Sequence, residues 1–221
     1  MRNKRNTFAV IGLGRFGMSI AKKLLEAGKD VICIDNDMAK IRSLSNTNAR
    51  LCHIEAISYE SLMEAGVAES DVCIIGIGKD LEANILASMD AISCGVNRVI
   101  SKANNSEHAR ILQKIGAEVV YPEVETANRL GLKLINDLTE DVIPLSDDFF
   151  IMQFNVPAKL DGKTILETDL RHKYAVNVVA LIHNGKANAT IRPDSVMYEN
   201  DSIVVSGSAD NVNAMQKGLA N

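Results

Sequence analysis

"FAVIGLGRFG", residues 8–17, is the stretch whose reading decides the fold. An apolar run of strand type, "TFAVIG", meets glycines at 12, 14 and 17. It then opens "RFGMSIAKKLLEAG", where Phe16, Ile20, Leu24 and Leu25 fall at helical spacing and Gly28 supplies the stop. Strand, glycine loop and helix in this order form a dinucleotide-binding turn. Gly12 permits the tight turn, Gly14 lets a pyrophosphate approach the backbone, and Gly17 allows the helix to lie close on the strand. The helix N-terminus offers free N–H groups and its positive dipole end to phosphates. Asp35 closes the next apolar run, "DVICID". A carboxylate there accepts hydrogen bonds from the two hydroxyls of an adenosine ribose and repels a 2′-phosphate, which disfavours NADP. A glycine-rich turn without a ligand is the plainer alternative. Arg15 is the unusual residue, a bulky cation where a phosphate would lie. It reads either as a phosphate clamp or as an exposed first-turn side chain.

Outward from this stretch the pattern alternates. Helix "NDMAKIRSLSN", strand "RLCHI", helix "YESLMEAG" and strand "DVCIIGIG" follow. Then come helix "LEANILASMDAISCG", strand "RVISKA", helix "SEHARILQKIG", strand "EVVYP" and helix "EVETANRLGLKLINDL". Alternating β and α demands a parallel sheet covered on both faces. The expected fold is α/β, a Rossmann doubly wound parallel sheet over residues 1–143. From "DDFFIMQFNVPAKLDGKT" the chain becomes strand-rich, with a short helix "TILETDLRHKYA", a hairpin turn at Asn184-Gly185 and a final helix "ADNVNAMQKGL". Residues 144–221 are expected to form a small α+β domain.

Composition narrows the function. The 221 residues are 47% hydrophobic with a net charge of −4, so no basic field for nucleic acid is present. The basic "MRNKR" at the start reads as a solvated tail. Cys33, Cys52, Cys73 and Cys94 form no CxxC pair and read as buried, reduced thiols. No apolar stretch approaches the roughly 18–20 residues that span a bilayer, so a soluble, cytoplasmic protein is expected. His53, His108, His172 and His183 are scattered, and His108 reads as a surface residue. No acid–base constellation emerges. The residues themselves therefore support nucleotide binding without enzymatic turnover, with an NAD-dependent oxidoreductase and a free-standing nucleotide sensor as alternatives to the regulatory role that a family resemblance implies.

Four blocks carry a family resemblance: "FAVIGLGRFG", "VICIDND", "SKANNSEHARILQKIGAEVVYPE" and "IMQFNVPAKLDGKTILETDLRHKYAVNVVALI". Together the chain resembles the RCK (KTN) regulatory subunits of Ktr/Trk potassium uptake systems, of the KtrA-like kind, with a TrkA-N domain followed by a TrkA-C domain. The resemblance implies a nucleotide-gated subunit that binds ATP or ADP, with NAD or NADH as further ligands. The implied nucleotide site is Gly12, Gly14, Arg15, Phe16, Gly17, Asp35, Asn36, Glu55, Ala56, Gly76, Ile77, Gly78 and Lys102, with Arg15 reaching terminal phosphates. After the third strand, "IEAIS" departs from the family's Asp or Asn followed by Ala and Thr. Glu123 matches a family position that holds Mg²⁺ or Ca²⁺ beside the phosphates, while Glu123 and Glu125 equally suit a helix N-terminus. Ile165, Leu166, Asp169, Arg171, Asn177 and Pro193 match a cyclic di-AMP site, and equally read as packing and capping residues. Leu166 stands where relatives often carry isoleucine. The implied partner is an integral-membrane, KtrB/TrkH-like potassium-translocating subunit. The implied assembly is a homodimer building an octameric ring, peripheral on the inner face of the plasma membrane.

Overall fold

A computed structural model of the protein describes residues 6–135 and 139–220. The "MRNKR" stretch and residues 136–138, the end of the helix expected after "EVVYP", lie outside the described residues. Two compact units divide at Pro122/Glu123.

The first unit alternates strictly: β1 (Thr7–Ile11), α1 (Arg15–Glu26), β2 (Asp30–Asp35), α2 (Met38–Arg42), β3 (Arg50–His53), α3 (Tyr59–Glu64), β4 (Val72–Ile75), α4 (Leu81–Ser93), β5 (Val99–Lys102), α5 (Ser106–Lys114) and β6 (Glu118–Val120). Its six strands run in the order β3-β2-β1-β4-β5-β6, and every pairing is parallel. This is the doubly wound order expected from the sequence, with the reversal between β1 and β4. Period-two alternation distributes the core. Ala9 and Ile11 face one layer with Leu62, Ala87, Ala91 and Leu112 of α3, α4 and α5, while Val10 faces the other with Ala21, Ile41 and Leu44. Short polar side chains start the helices that follow the strands. Asp37, Ser58, Asp80 and Asn105 each accept a backbone N–H of the first turn.

The second unit contains α6 (Pro122–Ile135), β7 (Thr139–Pro144), β8 (Phe149–Asn155), α7 (Ile165–Thr168), α8 (Leu170–Tyr174), β9 (Asn177–His183), β10 (Lys186–Asn188), β11 (Ser202–Ser208) and α9 (Ala209–Ala220). Its sheet is antiparallel in the order β10-β9-β11-β8-β7, over a core that includes Phe154, Met197, Ile203, Val205 and Met215. Asn184 and Gly185 both have positive φ, 49° and 74°, the type I′ geometry that Asn-Gly favours between two strands.

Two features differ from the sequence reading. The expected single helix "TILETDLRHKYA" is two short helices, because Asp169 adopts a left-handed backbone (φ 51°) between them. The division into units also falls earlier than 143/144, so that α6 and β7 group with the C-terminal part. The contacts explain why. β7 pairs antiparallel with β8, and Leu132 of α6 packs against the second core. Asp141 of β7 accepts from Arg129 Nε and Nη2 and sits 3.0 Å from the Lys133 ammonium. The Arg129 hydrogen bonds hold the Asp141 carboxyl down to about 2.

The glycine turn is set by backbone contact. Gly12 has φ +90°, and a Cβ at Gly17 would lie 2.0 Å from the Gly12 carbonyl oxygen. At Gly14 the backbone is extended (φ −67°, ψ −174°), and the nearest atom to an added Cβ is the Gly76 oxygen at 4.0 Å. Gly17→Ala is therefore expected to cost about 3 kcal/mol or more in urea unfolding, because backbone must move. Gly14→Ala should stay within about 1 kcal/mol of the parent. Equal losses at both positions would contradict this account.

Candidate nucleotide-binding site

The carboxyl ends of β1, β2 and β4, with the loops that follow them, surround a cleft of about 800 Å³. This is the switch-point position where open α/β sheets take ligands. Ten of the residues singled out from sequence line it: Gly12, Gly14, Arg15, Asp35, Asn36, Glu55, Ala56, Gly76, Ile77 and Gly78. Three do not. Gly17 is buried behind Gly12, and Phe16 packs into the layer that includes Ile20, Leu24 and Ala21 of its own helix. Lys102 ends β5 with its ammonium beside Gly78, 3.3 Å from where a Cβ there would stand. Lys40, Lys79, Asp80, Glu82 and Leu86 also line the cleft, and sequence reasoning missed them. They lie in a loop and in helices α2 and α4, whose sequences carry no spacing fingerprint. Asp80 also caps α4 through its side chain.

Asp35 is 6% exposed, and its carboxylate is fully engaged. The Leu13 N–H donates to Oδ2 at 2.6 Å, the Asp37 N–H donates to Oδ1 at 2.8 Å, and the Lys40 ammonium straddles both oxygens at 3.1 and 3.2 Å. A buried charge survives only with such partners. Arg15 stands in the first turn of α1 with its side chain exposed, and among the described residues it makes no ion pair.

Behind the cleft lies a buried polar network. Asn84, fully buried, donates from Nδ2 to the carbonyls of Ile77 (2.8 Å) and Lys102 (3.2 Å). Its Oδ1 accepts from the Ser101 hydroxyl at 2.9 Å and faces His108 Nε2 at 3.1 Å. Ser88 joins through the Asn84 carbonyl and the Ser101 hydroxyl. Two donors toward carbonyls fix the orientation of the amide, so its oxygen points at His108 and the imidazole carries its proton on Nε2. His108 is 3% exposed, which corrects the surface position expected from its charged helix neighbours. The helical face was misjudged because the network, rather than apolar packing, buries this residue.

In the C-terminal unit, Leu166 is 71% exposed, its N–H donates to the Pro193 carbonyl at 2.9 Å, and that of Ile165 donates to Ser195. Asp169 accepts from His172 Nδ1 at 2.6 Å, and Arg171 and Asn177 are exposed on α8 and at the start of β9. Glu123 and Glu125 occupy the first turn of α6. Among the described residues, no three His, Cys, Asp or Glu side chains gather as a metal-binding set, and no helix is long and apolar enough to cross a membrane. The cysteines form no disulfide among the described residues, and burial pushes the thiol pKa of each upward.

A doubly wound sheet with a glycine turn, a buried carboxylate at the end of β2 and an exposed arginine on one cleft defines a Rossmann domain. Here it is followed by an antiparallel α+β unit. The TrkA-N domain family matches residues 8–122 and the TrkA-C domain family residues 151–219. The Ktr system potassium uptake protein C of Bacillus subtilis (strain 168) is 30% identical over 96% of this chain and 97% of its own length. The Ktr system potassium uptake protein A of the same organism is 30% identical over 93% of each. The crystal structure of the GsuK RCK domain matches all of this chain and 49% of that one with a TM-score of 0.68 at 17% identity, a likeness of fold. The chain belongs to the TrkA family of RCK proteins, with one TrkA-N domain followed by one TrkA-C domain, as the sequence blocks implied.

His108 makes stability depend on pH. Burial lowers its pKa below the ordinary 6.5. An unfolded histidine takes a proton near that pH while the folded one resists it. The stabilisation is thus full above about 6.5 and fades as pH falls. Denaturant unfolding between pH 7 and 5 should show stability dropping in the parent, with a shallower drop in His108→Gln. Parallel pH profiles would contradict the buried, neutral imidazole.

Proposed function

We propose that the protein is a non-enzymatic, cytoplasmic, nucleotide-binding regulatory subunit that gates a KtrB/TrkH-like potassium-translocating membrane partner, with ATP and ADP setting its two states. The observation that carries this is Arg15. Its guanidinium borders the cleft without an ion pair among the described residues, next to Gly14, whose missing side chain leaves room on the cleft side. A planar guanidinium gives a bidentate, charge-assisted clamp on a terminal phosphate. Such a clamp differs between ATP and ADP, and a ligand moves an equilibrium only by differential affinity. Potassium uptake enters through the relatives, whose names assign them to Ktr systems over nearly the whole length of this chain.

The finer proposals follow the same reading. Asp35 serves the ribose, and Asn36, Glu55, Ala56, Gly76, Ile77, Gly78 and Lys102 complete the nucleotide site, with NAD or NADH as competing ligands. Glu123 offers a single carboxylate, and a hard divalent ion takes six or more oxygens, so phosphate and water oxygens would have to complete its shell. Ile165, Leu166, Asp169, Arg171, Asn177 and Pro193 form the proposed cyclic di-AMP surface. The exposed Val124, Leu130 and Leu134 of α6 support a homodimer that closes into an octameric ring.

Calorimetry with ATP, ADP, NAD and NADH tests the reading. The parent should favour ATP over ADP, and Arg15→Ala should narrow that gap by roughly tenfold while adenosine binding persists. The same variant should flatten the ATP response of potassium flux in vesicles carrying the membrane partner. An unchanged ATP-over-ADP preference in Arg15→Ala would remove the arginine from the mechanism. Steady NAD-linked turnover of a small alcohol would replace the regulatory reading with an oxidoreductase.

A further inference from the structure

We propose that Lys40 competes with the ligand for Asp35: its ammonium holds the acceptor positions that a ribose diol takes, so the diol binds by displacing it. The proposal rests on the reading of the cleft as a nucleotide site. An ionised carboxylate offers about four acceptor positions. In this structure two are taken by the N–H groups of Leu13 and Asp37, and the Lys40 ammonium takes one on each oxygen. Two ribose hydroxyls each need one position, so some donor must leave.

The donors are not equivalent. Leu13 lies inside the glycine turn, between Gly12 and Gly14, and Asp37 is the cap of α2. Removing either N–H means rebuilding backbone. The ammonium sits on a flexible four-carbon stem and can swing away. Lys40 has a side chain 39% exposed against 4% for that of Asp35, and both residues line the cleft. The cation is therefore the mobile cover on a buried acceptor. It also has somewhere to go. Asp37 Oδ2 lies 4.0 Å from the ammonium, while Asp37 Oδ1 is held at 2.9 Å by the Ala39 N–H. Displacement transfers the cation from one carboxylate to its neighbour instead of stranding it.

A diol replaces both ammonium contacts at once, whereas a single hydroxyl replaces one and leaves the cation half engaged. The pair thus sharpens selection for an intact 2′,3′-diol and lowers affinity for every ligand that carries one.

Lys40→Met keeps the stem and removes the charge. Calorimetry on the full chain, with adenosine and 2′-deoxyadenosine as probes, reads the competition without phosphates, and ADP is run beside them. Lys40→Met should bind adenosine roughly tenfold tighter than the parent. It should gain about as much for ADP and clearly less for 2′-deoxyadenosine. Lys40→Gln, which keeps an N–H donor, should fall between, and it carries the test if thermal unfolding shows that Asp35 without a cation spoils the fold of Lys40→Met. Adenosine binding that is unchanged or weaker in both variants overturns the competition while leaving the nucleotide reading intact. A loss confined to ADP makes Lys40 a phosphate contact and likewise overturns it. If neither parent nor variants bind adenosine or ADP, the reading of the cleft falls and the proposal falls with it.

Discussion

Three stretches of backbone meet beneath the cleft with no side chain between them, and the rest of the site depends on that contact. The Gly12 carbonyl oxygen lies 2.0 Å from where a Cβ of Gly17 would stand and 2.7 Å from that of Gly76, while a Cβ on Gly12 would meet the Ile77 nitrogen at 2.8 Å. The Gly12 carbonyl thus forbids a side chain at both Gly17 and Gly76. The Gly12 N–H donates to Ile34 and ties the turn to β2, and the Gly76 N–H donates to Ile11 and ties the end of β4 to β1. The result seats the start of α1 directly on the ends of β1 and β4, so its free N–H groups face the cleft. Gly14 differs in kind. Its extended backbone suits any residue and its surroundings are open, so nothing within the chain demands glycine there.

The opposite wall is held by polarity. Asn84 uses both donors on the carbonyls of Ile77 and Lys102 and both acceptor positions on Ser101 and His108. A buried amide satisfied on every valence is rigid, since any displacement exposes several unpaired groups at low dielectric. The loop after β4, which contributes Ile77 and Gly78 to the cleft, is thereby fixed to β5 and α5 from behind. Apolar packing supplies the area of this unit, and the network supplies the position of one loop.

Local spacing made the first unit legible. Each strand of the parallel sheet is a short apolar run, each helix carries a cap or a glycine stop, and Gly12, Gly17 and Asp35 lie at offsets that geometry imposes. The Asn184-Gly185 turn was readable because few dipeptides tolerate two positive φ values. What escaped depends on distant partners. "TEDVIP" is one-third charged and becomes β7 through its pairing with β8 and the Arg129–Asp141 contact. Asp169 breaks one expected helix into two by a left-handed backbone that its residue type permits without signalling. His108 is buried by hydrogen bonds with Asn84, 24 positions away. Lys40, Lys79 and Glu82 reach the cleft from loops and helix starts of no fixed spacing, so only the fold could assign them.

One hydrogen bond joins the two ends of the cleft. The Leu13 N–H that meets Asp35 Oδ2 at 2.6 Å belongs to the residue between the two glycines of the turn, two positions before Arg15. A charge-assisted bond of this kind is roughly twice as strong as a neutral one. The load that the Lys40 ammonium places on the Asp35 carboxylate therefore acts on the same peptide that sets the path of the glycine turn. On the proposed nucleotide reading, ribose and phosphate recognition are coupled through this bond. A change in what the carboxylate accepts alters how firmly Leu13 is held, and with it the backbone on which Arg15 stands.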